Sequence, residues 1–270
     1  MQADRLHTLK RIIAVAGDHA KPEVNKNHLR LYGHNLCPFV ARARYALAAK
    51  KVEFQEYFLD LNDKAPWHLD FNGGFVPILE TPAGDLIKES DIIMHFANEQ
   101  GGKDGLELVP SDPIEAAKMR VEMANFGKAL DGAWPLVMKR GEDVEANENF
   151  KINTLPKWEA LVSKVPEGKW LFGTDEPTWL DLHSAPIWEM FFMMITDPTK
   201  EDLNKLVDFK TNAPRWVAYM EKFQAHPLLH PYRFRTKAVN AHGLRSSTWP
   251  KDQKCQLSVE VLEGVFDDEE

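Results

Sequence analysis

The stretch LYGHNLCPFVARARYAL, Leu31 to Leu47, carries the reading of this chain. The residues leading into it, His28 to Gly33, form a short apolar run that reads as a strand, with Leu29 and Leu31 on one face. Beyond a brief loop, Val40, Ala43 and Leu47 recur at helical intervals, which predicts a helix over Pro38 to Lys50. Pro38 suits its first turn, where the missing N–H would have had no intrahelical partner. Cys37 stands at the helix start, followed by Phe39, Arg42 and Arg44.

A thiol in that place feels the partial positive charge of unpaired backbone N–H groups. The field stabilises the thiolate, so the expectation is an acid-shifted, nucleophilic Cys37. Loops that leave the carboxyl end of a strand and open a helix are also where open α/β sheets bind ligands. A free cysteine is equally at home as a small buried hydrophobe, and on position alone that alternative stands beside the reactive one. In a dithiol oxidoreductase the second thiol of C-x-x-C closes the cycle, but the fourth position here is Val40. A mixed disulfide on Cys37 must then be resolved by a thiol from outside, and a small, abundant thiol peptide fits that need. A reactive lone thiol thus implies a bound cosubstrate.

Working outward, Val52 to Leu59 reads as a second strand, parallel to the first because a helix joins them. Asp60 to Gly74 reads as a loop. Val76 to Glu80 and Leu86 to Lys88 read as a hairpin around Thr81-Pro82-Ala83-Gly84-Asp85. Ser90 to Asn98 reads as a helix with Ser90 as its N-cap. Gly101 to Gly105 and Pro110 to Pro113 mark the best domain boundary. Past it the periodicity is helical: Ile114 to Leu130, Glu145 to Val165, Leu180 to Ile195, Leu203 to Phe209 and Ala213 to Ala225. Thr178 and Asp181, just ahead of an apolar run, have the spacing of a capping box. The expected organisation is an N-terminal extension 1–27, a first domain 28–100, a linker 101–113, a helical domain 114–235 and a polar C-terminal extension 236–270. In the first extension, Leu6, Leu9, Ile12 and Ile13 predict an amphipathic helix packing on the protein's own body, with partner docking or a transit peptide as alternatives. The extension does not read as a signal peptide, because its apolar stretch is short and Asp4 interrupts the basic region.

The composition narrows the classes. The 270 residues are 44% apolar, enough for one large or two modest cores. The formal net charge of -8, with no concentrated basic patch, argues against nucleic-acid binding. No apolar run is long enough to span a membrane. The two cysteines, Cys37 and Cys255, make no disulfide scaffold. A reducing, cytoplasmic location is the expectation.

These residues together resemble cytosolic glutathione transferases, the omega class in particular. The resemblance rests on Cys37-Pro38-Phe39 with Arg42 and Arg44, on Lys64-Ala65-Pro66-Trp67, on Val76-Pro77-Ile78-Leu79-Glu80 and on Glu89-Ser90. In the second half it rests on Phe172-Gly173, Thr178 with Asp181, and Trp216 to Pro227. It covers roughly Leu29 to Arg235. It implies an α/β thioredoxin-like N-terminal domain followed by an all-α C-terminal domain. It also implies glutathione as cosubstrate, no metal, a homodimer and a small oxidised or glutathionylated substrate. Cys37 would face the glutathione sulfur, and Phe39 belongs to the same motif. Val76, before a cis bond to Pro77, would pair its backbone with the cysteinyl part. Glu89 and Ser90 would hold the γ-glutamyl end and Lys64 the glycyl carboxylate. The implied chemistry is thiol transfer, deglutathionylation or reduction of dehydroascorbate. One departure, Asn72-Gly73-Gly74-Phe75, is shorter and richer in glycine than the family's usual segment and leaves the placement of Lys64 and Trp67 open.

Other readings stand beside this one. The fold can persist as a catalytically idle subunit docked in a larger assembly, although the intact set Cys37, Glu89 and Ser90 argues against it. A chloride-channel-related protein of the same fold is disfavoured by the lack of a long apolar segment near Cys37. Met190 to Met194 read as core rather than pocket. Trp216 reads equally as core or as a pocket residue. His226 and His230 lack a third metal ligand, and Pro227 breaks the helix between them. Asp60, Asp63 and Asp70 read as solvated turn residues. Cys255 reads as an ordinary tail residue, with a resolving thiol as the alternative.

Overall fold

The structure is a computed structural model. It describes the backbone of residues 8–13 and, in full, residues 19–34, 37–59, 61, 64–102, 104–139, 141–195 and 200–234. Asp60, Asp63, Cys255 and the rest of the C-terminal extension lie outside the described residues. The chain divides into two compact units. Among the described residues, one comprises everything up to Gly105 together with 231–234, and the other spans Leu106–His230.

The first unit is a sheet of five strands: β1 (Thr8–Ile13), β2 (Leu29–Gly33), β3 (Phe54–Phe58), β4 (Ile78–Glu80) and β5 (Leu86–Lys88). Their order is β1-β3-β2-β4-β5. Strand β3 pairs parallel with both β1 and β2, while β4 pairs antiparallel with β2 and with β5. The helices of this unit are α1 (Pro38–Ala49), α2 (Pro66–Asn72) and α3 (Ser90–Gln100). The strand, helix, strand, hairpin, helix order read from the sequence is present.

Pleat alternation sorts the side chains by face. Tyr32 aligns with Tyr57 on one side and Ile78 on the other, and this row packs with Trp67 and Phe71 of α2. The Tyr32 and Trp67 rings meet edge-on at 5.2 Å between centroids. On the opposite face Leu31 aligns with Glu56 and Leu79. Glu56 is buried there and forms an ion pair with Arg44 of α1. Gly33 meets α1 so closely that a Cβ on it would sit 2.5 Å from Val40 Cγ1.

Three expectations are corrected. Residues 8–13 are strand, not helix: Thr8, Ile12 and Ile13 are β-branched, and the free edge of β3 offers a ladder. The expected loop from Asp60 to Gly74 contains α2, which starts on Pro66 and stops on Gly73 in the left-handed region at φ 59°. Ser90 is not an N-cap. It is the first residue of α3 and is buried, and the boundary position belongs to Glu89.

The second unit is helical: α4 (Pro113–Ala129), α5 (Trp134–Met138), α6 (Val144–Asn149), α7 (Leu155–Ser163), α8 (Trp179–Ile195), α9 (Glu201–Val207), α10 (Phe209–Asn212) and α11 (Pro214–Ala225). The expected single helix from Glu145 to Val165 is α6 and α7 joined by a wider π turn, Phe150–Thr154. The short α5 was not foreseen. Its core is aromatic: Trp158, Trp188, Trp216 and Phe191 are all buried, and Trp158 lies 5.1 Å from Phe191 between ring centroids. Phe191, Phe192 and Met193 are core, and so is Trp216. His226 contacts Glu176 at 3.1 Å, and His230 bonds the Gln224 carbonyl at 2.8 Å.

The buried Asp181 carboxylate holds the start of α8. It accepts from the backbone N–H groups of Leu171 (2.9 Å) and Thr178 (2.8 Å), from the Thr178 hydroxyl (2.8 Å) and from the Tyr219 hydroxyl (3.0 Å). The capping-box spacing thus has a physical counterpart, although the threonine hydroxyl donates to the acid instead of capping a backbone N–H. Asp181→Ala leaves several buried donors without an acceptor. The expected loss is roughly 3 kcal/mol or more, measured as a lower urea midpoint at unchanged m-value.

Candidate functional site

Register brings the sequence-predicted residues to one end of the sheet. Strand β2 ends at Gly33, and β4, antiparallel to it, begins at Ile78 opposite Tyr32. The Val76–Pro77 bond, which is cis, therefore lies beside the exit from β2 that leads to Cys37. Strand β5 ends at Lys88, opposite Ile78, and continues at once into Glu89 and Ser90. Strand β3 ends at Phe58 opposite Gly33, and Leu59 N–H donates to the Gly33 carbonyl at 2.8 Å. Lys64 follows shortly after. Four separate segments thus leave the sheet at the same end.

Cys37 is the N-cap of α1, half-buried and with a free thiol. Its backbone N–H donates to the His34 carbonyl at 3.1 Å, and its carbonyl accepts from Ala41 N–H at 3.0 Å. Burial pushes the thiol above its ordinary range. The N–H groups of Val40 and Phe39, and then the guanidinium charges of Arg44 and Arg42, pull in the other direction without winning. The expected acid shift is therefore corrected: the helix-start field is present, and desolvation outweighs it. Arg42 is buried enough that its own value falls to about 10. Its guanidinium lies 5.1 Å from the Phe39 ring centroid, and its Nη1 is 3.8 Å from Asp91 Oδ1. That ion pair links α1 to the first turn of α3. Phe39 itself is among the exposed large apolar residues.

The glycine-rich departure before Val76 has a structural role. Gly74 has φ 72°, and a Cβ there would lie 2.5 Å from Lys64 Cδ and 3.0 Å from its Nζ. The missing side chain is the space Lys64 occupies. The Phe75 carbonyl accepts from His68 Nε2 at 2.7 Å and from Asn72 Nδ2 at 3.1 Å. Burial lowers the His68 pKa, so the ring is neutral near pH 7 and Nε2 carries the proton that the carbonyl requires. These contacts pin the residue immediately before Val76. Sequence reasoning missed His68 and Asn72, because a lone histidine in an apparent loop carries no spacing signal. The Val76 backbone N–H and C=O have no hydrogen-bond partner among the described residues. Glu89 is exposed and sits at φ 71°, a region that few residues other than glycine visit, directly before buried Ser90.

Comparison with known proteins shows the family and the fold. Residues 36–100 match the family described as Glutathione S-transferase, N-terminal domain. Glutathione S-transferase omega-2 of Mus musculus is 30% identical over 208 residues, covering 75% of this chain and 78% of that protein. The chain belongs to the glutathione S-transferase family. It is omega-like: glutathione S-transferase omega-1 of Mus musculus is 24% identical over 222 residues, 81% of this chain and 86% of the relative. The crystal structure of glutathione transferase Omega 1C from Trametes versicolor superposes with a TM-score of 0.64 at 21% identity, over 82% of this chain and 97% of that one, a likeness of fold. The α/β thioredoxin-like plus all-helical architecture is the glutathione transferase fold.

The position of the thiol titration is open to measurement. The alkylation rate of Cys37 by iodoacetamide, followed on its own peptide by mass spectrometry, is expected to rise with pH through a value above the ordinary thiol range. Arg42→Leu removes a charge that favours the thiolate, so its titration should lie at still higher pH. A wild-type titration below pH 8 would contradict the desolvation account.

Proposed function

We propose that this glutathione transferase is a monothiol, glutathione-dependent thiol transferase that also reduces small oxidised substrates such as dehydroascorbate. The observation that carries the reading is the free thiol of Cys37, with no second thiol among the described residues, at the sheet end where Lys64, Val76-Pro77 and Glu89-Ser90 also emerge. In the first step the Cys37 thiolate attacks the glutathione sulfur of a mixed disulfide. The old S–S bond breaks, its electron pair leaves with the substrate thiolate, and Cys37 is left bonded to glutathione. In the second step a glutathione thiolate attacks that new disulfide, releasing glutathione disulfide and restoring the Cys37 thiolate. Reduction of a carbonyl-type oxidant differs in that both glutathione molecules enter as free thiols; together they supply both electrons and both protons and leave as glutathione disulfide.

Each binding role matches a charge or a hydrogen-bonding need. Val76 offers an unpartnered N–H and C=O to the cysteinyl backbone of glutathione, as an edge strand would. Glu89 meets the γ-glutamyl ammonium, and its displaced backbone is the cost of presenting that carboxylate. Ser90 meets the γ-glutamyl carboxylate through its hydroxyl and the N-terminus of α3. Lys64 meets the glycyl carboxylate. Pro77 orients Val76, and Phe39 flanks the thiol while backing the Arg42 guanidinium. We place the enzyme in the cytoplasm, where glutathione is abundant, and we propose that it acts as a homodimer. Among the described residues no helix is long and apolar enough to cross a membrane.

Glutathione-dependent reduction of a small mixed disulfide tests the reading. Cys37→Ala should lower turnover by about a hundredfold or more, as expected for loss of a covalent nucleophile. Turnover unchanged in that variant would remove Cys37 from the mechanism. Lys64→Met should raise the KM for glutathione about tenfold with kcat little changed, the signature of a lost charge-assisted contact.

A further inference from the structure

We propose that His68 is a positioning residue for glutathione binding, on the reading that Val76 pairs with the tripeptide backbone: the imidazole holds the Phe75 carbonyl and thereby sets the direction of the Val76 N–H. The turn between α2 and β4 is tied back to α2 one peptide group at a time. Gly73 N–H donates to the Leu69 carbonyl at 2.8 Å, Gly74 N–H to the His68 carbonyl at 3.1 Å and Phe75 N–H to the Asn72 carbonyl at 3.0 Å. Side chains make the last tie, with His68 Nε2 at 2.7 Å and Asn72 Nδ2 at 3.1 Å from the Phe75 oxygen.

The Phe75–Val76 bond is trans. In a planar trans peptide group the C=O and N–H point in opposite directions. With its carbonyl turned toward α2, this group directs the Val76 N–H away from α2, where that N–H has no partner among the described residues. On the N-terminal side of the group, packing does little to fix its plane. Gly74 has no side chain, and the Phe75 ring is 72% exposed, with Lys64 Nζ 5.8 Å from its centroid. A rotation of the plane would bring the carbonyl oxygen to the side on which glutathione needs a donor. His68 itself has no solvent exposure, and its ring lies 5.7 Å from that of Trp67 between centroids. Its Nδ1 is buried without a hydrogen-bond partner among the described residues. An unsatisfied buried nitrogen is a cost that an apolar side chain of similar size would avoid. What the histidine adds over such a side chain is the Nε2 donor.

The test is calorimetric titration of the full chain with S-methylglutathione, which has no thiol to react with Cys37, alongside the KM for glutathione in mixed-disulfide turnover. His68→Leu is expected to weaken binding about tenfold and to raise KM by a similar factor with kcat little changed, the signature of one lost buried hydrogen bond that acts on binding alone. His68→Gln, whose amide can reach the same carbonyl, should restore most of the affinity. Near-UV circular dichroism reports whether each variant is folded. If His68→Leu does not fold, Asn72→Ala, at a partly exposed position, carries the test with an expected loss of about threefold. A folded His68→Leu that binds like the wild type, or Asn72→Ala doing so in its place, would overturn the proposal. So would His68→Gln binding no better than His68→Leu. A wild-type protein that does not bind S-methylglutathione at all would overturn the glutathione reading, and this role with it.

Discussion

The close approach of α1 to β2 at Gly33 is the constraint on which the rest of the site depends. Because Gly33 lacks a Cβ, the Val40 methyl groups can occupy that space, and the first turn of α1 is drawn against the end of the central strand. Cys37 caps that helix, three residues before Val40. The cap position puts unpaired N–H groups at the thiol, and the same packing desolvates it. The two effects oppose each other, and the balance in the ligand-free site lies on the side of the thiol. On the proposed reading, a tripeptide entering this site would meet Cys37 as a thiol rather than as a standing thiolate.

Charge is placed inside the first unit in a way that follows from strand register. Arg30 lies across from Glu80, which is also hydrogen-bonded by Tyr32 at 3.0 Å and ion-paired with Lys21. On the other face, Arg44 of α1 meets Glu56 of β3. Breaking one partner of such a pair leaves an uncompensated buried charge and costs more than the pair itself contributes. Arg42 and Arg44 are therefore structural and electrostatic at once. They tie α1 to α3 and to the sheet, and they are the nearest fixed positive charges to Cys37.

Much of the fold was legible because its signals are local. Pro38 after Cys37, the Thr81 to Asp85 turn and the apolar spacing of Val40, Ala43 and Leu47 each have one physical reading. The failures are equally physical. Residues 8–13 carry apolar positions that satisfy a helical and an extended period alike, and only a free edge on β3 decides between them. The helix α2 is short and starts on a proline in a stretch that otherwise reads as turns. The polarity of the Cys37 shift was misjudged because a helix-start field is visible in sequence, whereas desolvation depends on neighbours distant in the chain. His68 and Asn72 act on a carbonyl, not through any motif, so no residue pattern announces them. Lys64, Val76, Glu89 and Ser90 are singled out by the family resemblance alone, and the strand register shows only that their segments meet at one end of the sheet.

The most direct test of the central claim is to catch the covalent intermediate. The intact protein, incubated with glutathione disulfide and then analysed by mass spectrometry with peptide mapping, should carry one glutathionyl group per chain. That group should sit on Cys37 and be removed by added reduced glutathione. A protein that remains unmodified, or one that carries the adduct on Cys255 and not on Cys37, would contradict the account.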